Sequence, residues 1–377
     1  MRPIRTVWVL FMAVVAVACS TTKGGGGTGG TGSDGTSAIG GAAGSGVAGS
    51  VGNSLGSTGG TGIGGVASNG GAPGKDAPDG QAGNPTCAAQ QWTLTNWPAD
   101  NKYFSLYAGQ DRVFARTWDA LHGGRTFLSS DNGGTWLQIG SADTDMDILS
   151  IVMLNNNALA GTWNDLLQSA TGGVSFDILA PTGIPADTAV WSIAAIGSTL
   201  LVGTKEDVYR SSDNGSTWTE VKAGIPVNAS VTSIVVSGNS FLAGTDTAGV
   251  LTMPNAGTMW TAGDSVLANA RITGLVVLGT RVFAVTPDGV FFSNNDGANW
   301  TADTSGLRDI NCLLVAAGQL LAGTDNSGVH LSTDSGATWT SFSAGMPNDT
   351  RVWSLAATGS SIFAGTNSGV WRVGCGN

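Results

Sequence analysis

Histidine and cysteine are scarce in this sequence, which has 2 and 4 of them in 377 residues. They form no cluster with carboxylates at the spacing of a metal site. The N-terminal glycine run has no strand before it or helix after it, so it does not fit a phosphate-binding loop. We therefore expect neither a metal nor another cofactor.

Basic residues are also few, with 16 Lys and Arg against 26 Asp and Glu and a formal net charge of −10. The chain has no Lys/Arg cluster that could neutralise a run of phosphates. Nucleic acid is therefore excluded as an expected partner.

The first 84 residues lack the composition of a folded domain. Residues 1–19 contain Arg2 and Arg5, then an apolar stretch too short to span as a stable membrane helix, and they read as a signal peptide ending at Cys19. Residues 20–84 have no aromatic side chain and very little charge. They cannot bury enough apolar surface to offset chain entropy, so we predict a disordered Gly/Ser/Thr-rich linker.

The end of the signal peptide, Ala16-Val17-Ala18-Cys19, resembles a bacterial lipobox. This resemblance implies lipidation of Cys19 and an outer-membrane or cell-surface lipoprotein that touches the membrane only through its lipid. The alternative is cleavage after the Ala-x-Ala pair, which releases a secreted or periplasmic protein. The linker directly after Cys19 favours the anchor, because a tether requires an attachment point.

Residues 85–377 repeat one phrase six times at intervals of 39 to 42 residues. Three copies fit Ser-x-Asp-x-Gly-x-Thr-Trp outright, and three worn copies, which end at Phe176, Trp260 and Trp300, keep only part of it. Each repeat holds four short segments of alternating apolar pattern and no convincing helix. This predicts an all-β fold, a seven-bladed β-propeller of four-stranded blades. The first strands of the blades are predicted to begin near Tyr103, Ile148, Val190, Val231, Ile272, Ile310 and Val352.

The seventh repeat stops after three strands, which would leave an open edge. The segment Gln91–Leu94 resembles an isolated fourth strand, so we expect the N-terminal strand to complete the last blade. Cys87 and Cys375 then align with the same point of that blade, which predicts a disulfide that fastens the closure.

The repeated phrase resembles the Asp-box, or BNR repeat, of sialidases, sortilin-type receptors and the photosystem II assembly factor family. The resemblance implies that the box residues are structural; they are Asp131, Asp213, Asn255, Asn295 and Asp334. Glycine permits the turn, the Asp and Ser/Thr side chains bind backbone N–H groups, and Trp packs between blades. One carboxylate per box is too few for a calcium site.

Ligands of a propeller would meet the loops before the first strands and those between the second and third strands. These loops share the face opposite the boxes, which we call the candidate face. Its candidate ligand residues are Trp118, Asp119, His122, Trp163, Asp165, Arg271, Asp309 and Arg351. Exposed tryptophans stack on sugars and anchor protein interfaces. The segment from Arg116 to Arg125 is predicted to hold the longest loop of its class.

Sialidases grip a carboxylate with three arginines, and Arg271, Arg308 and Arg351 lie in suitable loops. Against this, the domain lacks the Arg-Ile-Pro signature of sialidases. Sialidases also pair their tyrosine nucleophile with a glutamate, and this chain has only two glutamates, Glu206 and Glu220. We therefore expect a monomeric, non-catalytic surface lipoprotein that binds a protein or carbohydrate at the candidate face. The alternative is a glycoside hydrolase or sialidase-like enzyme with a pair of loop aspartates.

Overall fold

The computed structural model describes residues 91–98, 105–109, 111–119, 123–140, 146–154, 157–179, 182–205 and 207–375, with 118, 119 and 123 described by backbone alone. The predicted signal peptide, linker, Cys19, Cys87 and His122 lie outside these residues. The described residues form seven four-stranded antiparallel sheets and no helix. None of the described elements is a helix long and apolar enough to span a bilayer.

The strands follow one another blade by blade. Blade 1 holds β2 (Ser105–Gly109), β3 (Arg112–Asp119), β4 (Gly123–Ser129) and β5 (Leu137–Ile139), and blade 2 holds β6 (Ser150–Leu154), β7 (Asn157–Gly161), β8 (Leu166–Ser169) and β9 (Asp177–Leu179). Blade 3 holds β10 (Val190–Ile196), β11 (Thr199–Thr204), β12 (Val208–Ser211) and β13 (Thr219–Glu220), and blade 4 holds β14 (Val231–Ser237), β15 (Ser240–Thr245), β16 (Val250–Pro254) and β17 (Thr261–Ala262). Blade 5 holds β18 (Gly274–Leu278), β19 (Arg281–Thr286), β20 (Gly289–Ser293) and β21 (Thr301–Ala302), and blade 6 holds β22 (Ile310–Ala316), β23 (Gln319–Thr324), β24 (Val329–Ser332) and β25 (Thr340–Ser341). Blade 7 holds β26 (Val352–Ala357), β27 (Ser361–Thr366), β28 (Gly369–Gly374) and, from the other end of the domain, β1 (Thr93–Leu94).

The first strand of each blade contacts the first strands of both neighbours, so these strands are innermost and the ring is closed. The predicted seven-bladed propeller is thereby confirmed. Three first strands begin two residues later than predicted, at Ser105, Ser150 and Gly274. The fourth strands begin one residue after the box aromatic residue, as Leu137 does after Trp136.

The closure of blade 7 by the N-terminal strand is also confirmed. Thr93 and Leu94 pair with Arg372 and Trp371 in the antiparallel register of β1 and β28. The buried indole N–H of Trp92 donates to the carbonyl of Phe342 at 2.6 Å, which ties β1 to the chain that leaves blade 6. The start of the propeller is thus held by both backbone pairing and a buried side chain.

A recurring Ala-Gly-Thr sequence ends the second strands of several blades, and the contacts explain it. A Cβ atom on Gly323 would lie 2.6 Å from Cys312 Sγ and 2.6 Å from Val352 Cγ1 of the next blade. Glycine therefore allows adjacent blades to approach. The threonine hydroxyl then donates to the turn that follows, as Thr324 does to the Gly328 carbonyl at 2.9 Å.

Each full box is a closed hydrogen-bonded turn. Asp213 Oδ1 accepts from the Ser211 hydroxyl (2.8 Å) and the Thr217 N–H (2.9 Å), and Oδ2 accepts from the Thr217 hydroxyl (2.6 Å). Asp131 and Asp334 repeat this arrangement. Hydrogen bonds from the Thr217 side chain and backbone lower the pKa of Asp213 to about 2, as those from Thr338 do for Asp334.

The worn boxes keep the turn with other groups. Asn295 Oδ1 accepts from Ser293 and from the Asn299 N–H, both at 2.9 Å. In blade 2 the Thr171 hydroxyl takes the place of the carboxylate and accepts from the Ser175 N–H at 3.0 Å.

Asn255 differs from the other box residues. Its Oδ1 is buried and, within the described part of the chain, accepts no hydrogen bond. Arg210 of blade 3 instead donates to the carbonyls of Asn255 and Gly257, the latter at 2.7 Å. Here the neighbouring blade, rather than the box side chain, holds the turn.

Candidate functional site

Five of the predicted ligand residues have described side chains, and the candidate face does not gather them into one cluster. Trp163 and Asp165 lie between β7 and β8, while Arg271, Asp309 and Arg351 precede the first strands of blades 5, 6 and 7. Trp118 and Asp119 end β3, where only their backbone is described, and His122 lies outside the described residues.

The segment expected to hold the longest loop of the candidate face is largely a β-hairpin extension. Strand β3 continues to Asp119 and pairs with β4 from Gly123 onward, so these two strands have 8 and 7 residues. Much of the extra length predicted from the sequence is therefore paired strand.

Three side chains meet where this hairpin faces blade 2. The Arg116 guanidinium forms a two-pronged ion pair with Asp147, through Nε to Oδ1 and through Nη2 to Oδ2 at 3.0 Å. Both side chains are only 14% exposed. Asp147 Oδ2 also accepts from the indole N–H of Trp163 at 2.7 Å. Asp147 thus fixes the orientation of Trp163, whose side chain is exposed to solvent.

Tyr107 closes this cluster from the core side. Its hydroxyl donates to the Leu149 carbonyl at 2.5 Å, and complete burial raises its pKa to about 12. The phenol therefore stays protonated at neutral pH and serves as a buried donor. A Cβ on Gly124 would overlap the Asp147 carboxyl, so any larger residue there would have to displace that group from its present position.

Arg351, predicted as a ligand residue, is already bound within the chain. Its Nε and Nη2 contact Asp325 Oδ1 and Oδ2 at 2.6 and 2.7 Å, and its guanidinium lies 4.7 Å from the ring centre of Trp353. Asn311 donates to the Val352 carbonyl at 3.0 Å beside this pair. The Nε and Nη2 donors, which could form a two-pronged bond with a ligand carboxylate, are thus engaged by Asp325.

Asp309 is a turn residue. Its φ is +55°, and the same left-handed geometry recurs before the first strands of other blades, at Asp187, Asn228, Asn269 and Asp349. Asp and Asn are the side chains that tolerate this conformation best after glycine. The spacing of these five residues follows the blade repeat, which accounts for Asp309 without a ligand.

Four first strands contain a β-bulge at their candidate-face end. The pairing shifts by one residue around Trp191, Thr232, Asn311 and Trp353. A bulge leaves its residue out of the ladder and redirects the side chain. All four residues are half-buried, so they line the inner part of the candidate face.

A serine and a histidine also lie within hydrogen-bond distance on this face. Ser327 Oγ and His330 Nε2 are 3.0 Å apart, and burial lowers the pKa of His330. In blade 7 the same position holds Trp371, whose Nε1 donates to Ser368 at 3.1 Å. Because an indole cannot act as a general base, the shared arrangement supports the turn between the second and third strands.

Among the described residues no group of three or more His, Cys, Asp or Glu is placed to hold a metal ion. Cys312 lies on β22, where it is 3% exposed and has a free thiol. Burial raises its pKa to about 12, so it remains a small apolar side chain rather than a nucleophile.

Residues 229–361 match a family model described as the DUF6242 beta propeller domain. No curated protein gives a significant match. Among solved structures, YCF48 bound to D1 peptide is similar with 16% identity and a TM-score of 0.57, over 78% of this chain and 97% of that chain.

Two further structures match only part of their own length. The extracellular domain of BT4673 from B. thetaiotaomicron has 17% identity and a TM-score of 0.59, over 75% of this chain and 40% of that chain. An ancestral GH74 enzyme has 17% identity and a TM-score of 0.57, over 76% of this chain and 46% of that chain. At such identities the likeness concerns the fold, and it agrees with the predicted resemblance: this chain is a seven-bladed β-propeller.

Proposed function

We propose that this protein is an exported, non-catalytic scaffold whose candidate face binds a protein or a carbohydrate. The observation that carries the proposal is that two arginines of that face are paired with carboxylates of the chain. Arg116 is paired with Asp147, and Arg351 with Asp325, each through two contacts. A carboxylate grip or an acid–base pair needs such groups free, whereas these neutralise each other.

What the face offers instead is a positioned aromatic side chain. Trp163 is 43% exposed, and its N–H bond to Asp147 restricts its rotation. A large planar side chain that is already ordered loses little entropy when a partner packs on it. Sugars and apolar protein side chains are both suited to such a surface.

The fold neighbours agree with a binding role in an exported protein. One is named as bound to a D1 peptide, and another is named as an extracellular domain. Together with the lipobox-like Cys19, these names support a propeller displayed outside the cytoplasm on a lipid anchor. Replacing Cys19 by alanine should release the protein from membranes in a fractionation experiment, and retention in the membrane would exclude this anchor.

A glycan array and a panel of candidate proteins, each assayed beside fluorogenic glycosides, test the proposal. We expect a ligand that is bound but not turned over, with binding weakened by Trp163→Ala. Ile178→Ala is the matched control, because Ile178 is 66% exposed on the outer edge of blade 2. If the chain hydrolyses a glycoside and Asp119→Ala or Arg351→Ala abolishes this activity, the scaffold proposal is wrong and the alternative, a glycoside hydrolase, replaces it. The GH74 neighbour is an enzyme with this fold.

A further inference from the structure

The candidate face already contains one site where a cation stacks on tryptophan. Arg351 lies 4.7 Å from the ring centre of Trp353, and Asp325 binds the same guanidinium. The aromatic ring supplies a negative face and the carboxylate a counter-charge. Blade 7 thus shows both components of a cation-binding platform, filled by a side chain of the chain itself.

Trp163 offers an exposed ring, which Asp147 orients. The charge of Asp147 is neutralised by Arg116, so the negative charge beside Trp163 in the same loop is that of Asp165, a half-exposed residue two positions later. Arg116 is held by the carboxylate of Asp147. Among the described side chains none with a positive charge stacks on Trp163.

The charge of the surrounding loops favours a positive partner. The aspartates of this face that form no ion pair with a described residue are Asp165, Asp187, Asp246, Asp264, Asp288, Asp303, Asp309 and Asp349. The basic residues of these loops are Lys205, Arg271, Arg308, Lys222 and Arg351, of which the last two bind carboxylates of the chain. Such a surplus attracts cations and raises their association rate.

We propose that the candidate face binds a cationic polypeptide segment and that an arginine or lysine of this segment stacks on Trp163. This inference rests on the proposed function and narrows its partner to one class. A neutral glycan would use the ring but not the charge, and an acidic partner would be repelled.

The test measures binding of a labelled nona-arginine peptide to the purified full chain by fluorescence anisotropy at physiological salt. Nona-glutamate and a neutral Gly/Ser peptide are compared in parallel. Trp163→Leu keeps an apolar side chain but removes the ring, and we expect it to weaken nona-arginine binding by about fivefold. Trp163→Phe should fall between the leucine variant and the unaltered chain.

A second pair of variants separates this face from the general acidity of the protein. Asp246→Lys with Asp288→Lys reverses two charges of the candidate face and should weaken binding by about tenfold. Asp111→Lys with Asp177→Lys makes the same change in net charge at the turn after β2 and on the outer strand β9. This control should change binding by less than about twofold.

The proposal is overturned if nona-arginine does not bind, if Trp163→Leu has no effect, or if the two charge-reversed pairs weaken binding equally. The proposed function has a separate outcome. A neutral or anionic ligand bound through Trp163 would leave the scaffold standing and refute the cationic partner. If no tested ligand depends on Trp163, both fail.

Discussion

Replacing Asp147 by alanine should destabilise the propeller and release Trp163 from its fixed orientation. The change strands the Arg116 guanidinium, which is 14% exposed. Leaving one partner of a buried ion pair costs about 3–5 kcal/mol, and the remaining exposure reduces this to about 2–4 kcal/mol. At about 2–4 °C per kcal/mol for a domain of this size class, Tm should fall by about 4–16 °C.

Two variants show whether the stranded charge is the cause. Arg116→Met with Asp147→Leu removes both charges and should be less destabilised than Asp147→Ala alone. Asp165→Ala, in the same loop as Trp163 and without an ion pair, should change stability by less than about 0.5 kcal/mol. Thermal unfolding followed by circular dichroism measures all three.

The orientation of Trp163 needs a second measurement. In 15N-labelled protein the indole N–H resonance of Trp163, assigned by its loss in Trp163→Phe, should shift in both Asp147 variants because the acceptor is gone. A fall in Tm of less than about 1 °C for Asp147→Ala would refute the energetic reasoning. An unchanged indole resonance would refute the role of Asp147 in positioning the tryptophan.

Three further predictions concern the ring itself. The pKa of Asp334 lies at about 2, below its ordinary value of 3.8, so its contribution to stability is complete above about pH 4 and is lost as pH falls toward 2. Asp334→Asn should therefore make the decrease of Tm between about pH 4 and pH 2 less steep. Curves of Tm against pH that run parallel for the variant and the unaltered chain would contradict this. Gly323→Ala places a Cβ 2.6 Å from Val352 Cγ1 and should lower the free energy of unfolding, measured with denaturant, by about 1–3 kcal/mol. The additional change Val352→Ala should restore part of this loss. Unchanged stability of Gly323→Ala would show that the two blades can separate. Non-reducing mass spectrometry should find a Cys87–Cys375 peptide, and its absence would remove the predicted disulfide.

The blades could be predicted because their signals are local and repeated. In the full boxes, fixed residue types close the turn through contacts within about four residues, as Asp213 does with Thr217, so the sequence displays the contact directly. The left-handed residue before the first strands is equally local. Its repeat from Asp187 to Asp349 was available in the sequence and would have identified Asp309 as a turn residue.

The candidate site could be predicted only in part, because its contacts join different loops. The sequence predicts Trp163 as a ligand residue, but it does not point to the acceptor Asp147, since 16 residues separate the two and no repeat relates them. Asp325, which occupies Arg351, lies 26 residues before it in another loop. Neither ion pair leaves a pattern in the order of residues.

The sequence by itself therefore determined the number of blades and their four-stranded form, since turn chemistry and alternating burial act between neighbours along the chain. It also determined the closure at β1, because the last repeat lacks a fourth strand and an isolated strand precedes the first repeat. Tertiary structure decided which charges neutralise each other and which tryptophan stays exposed. Those outcomes depend on distances between loops of adjacent blades, and such distances exist only once the ring has closed.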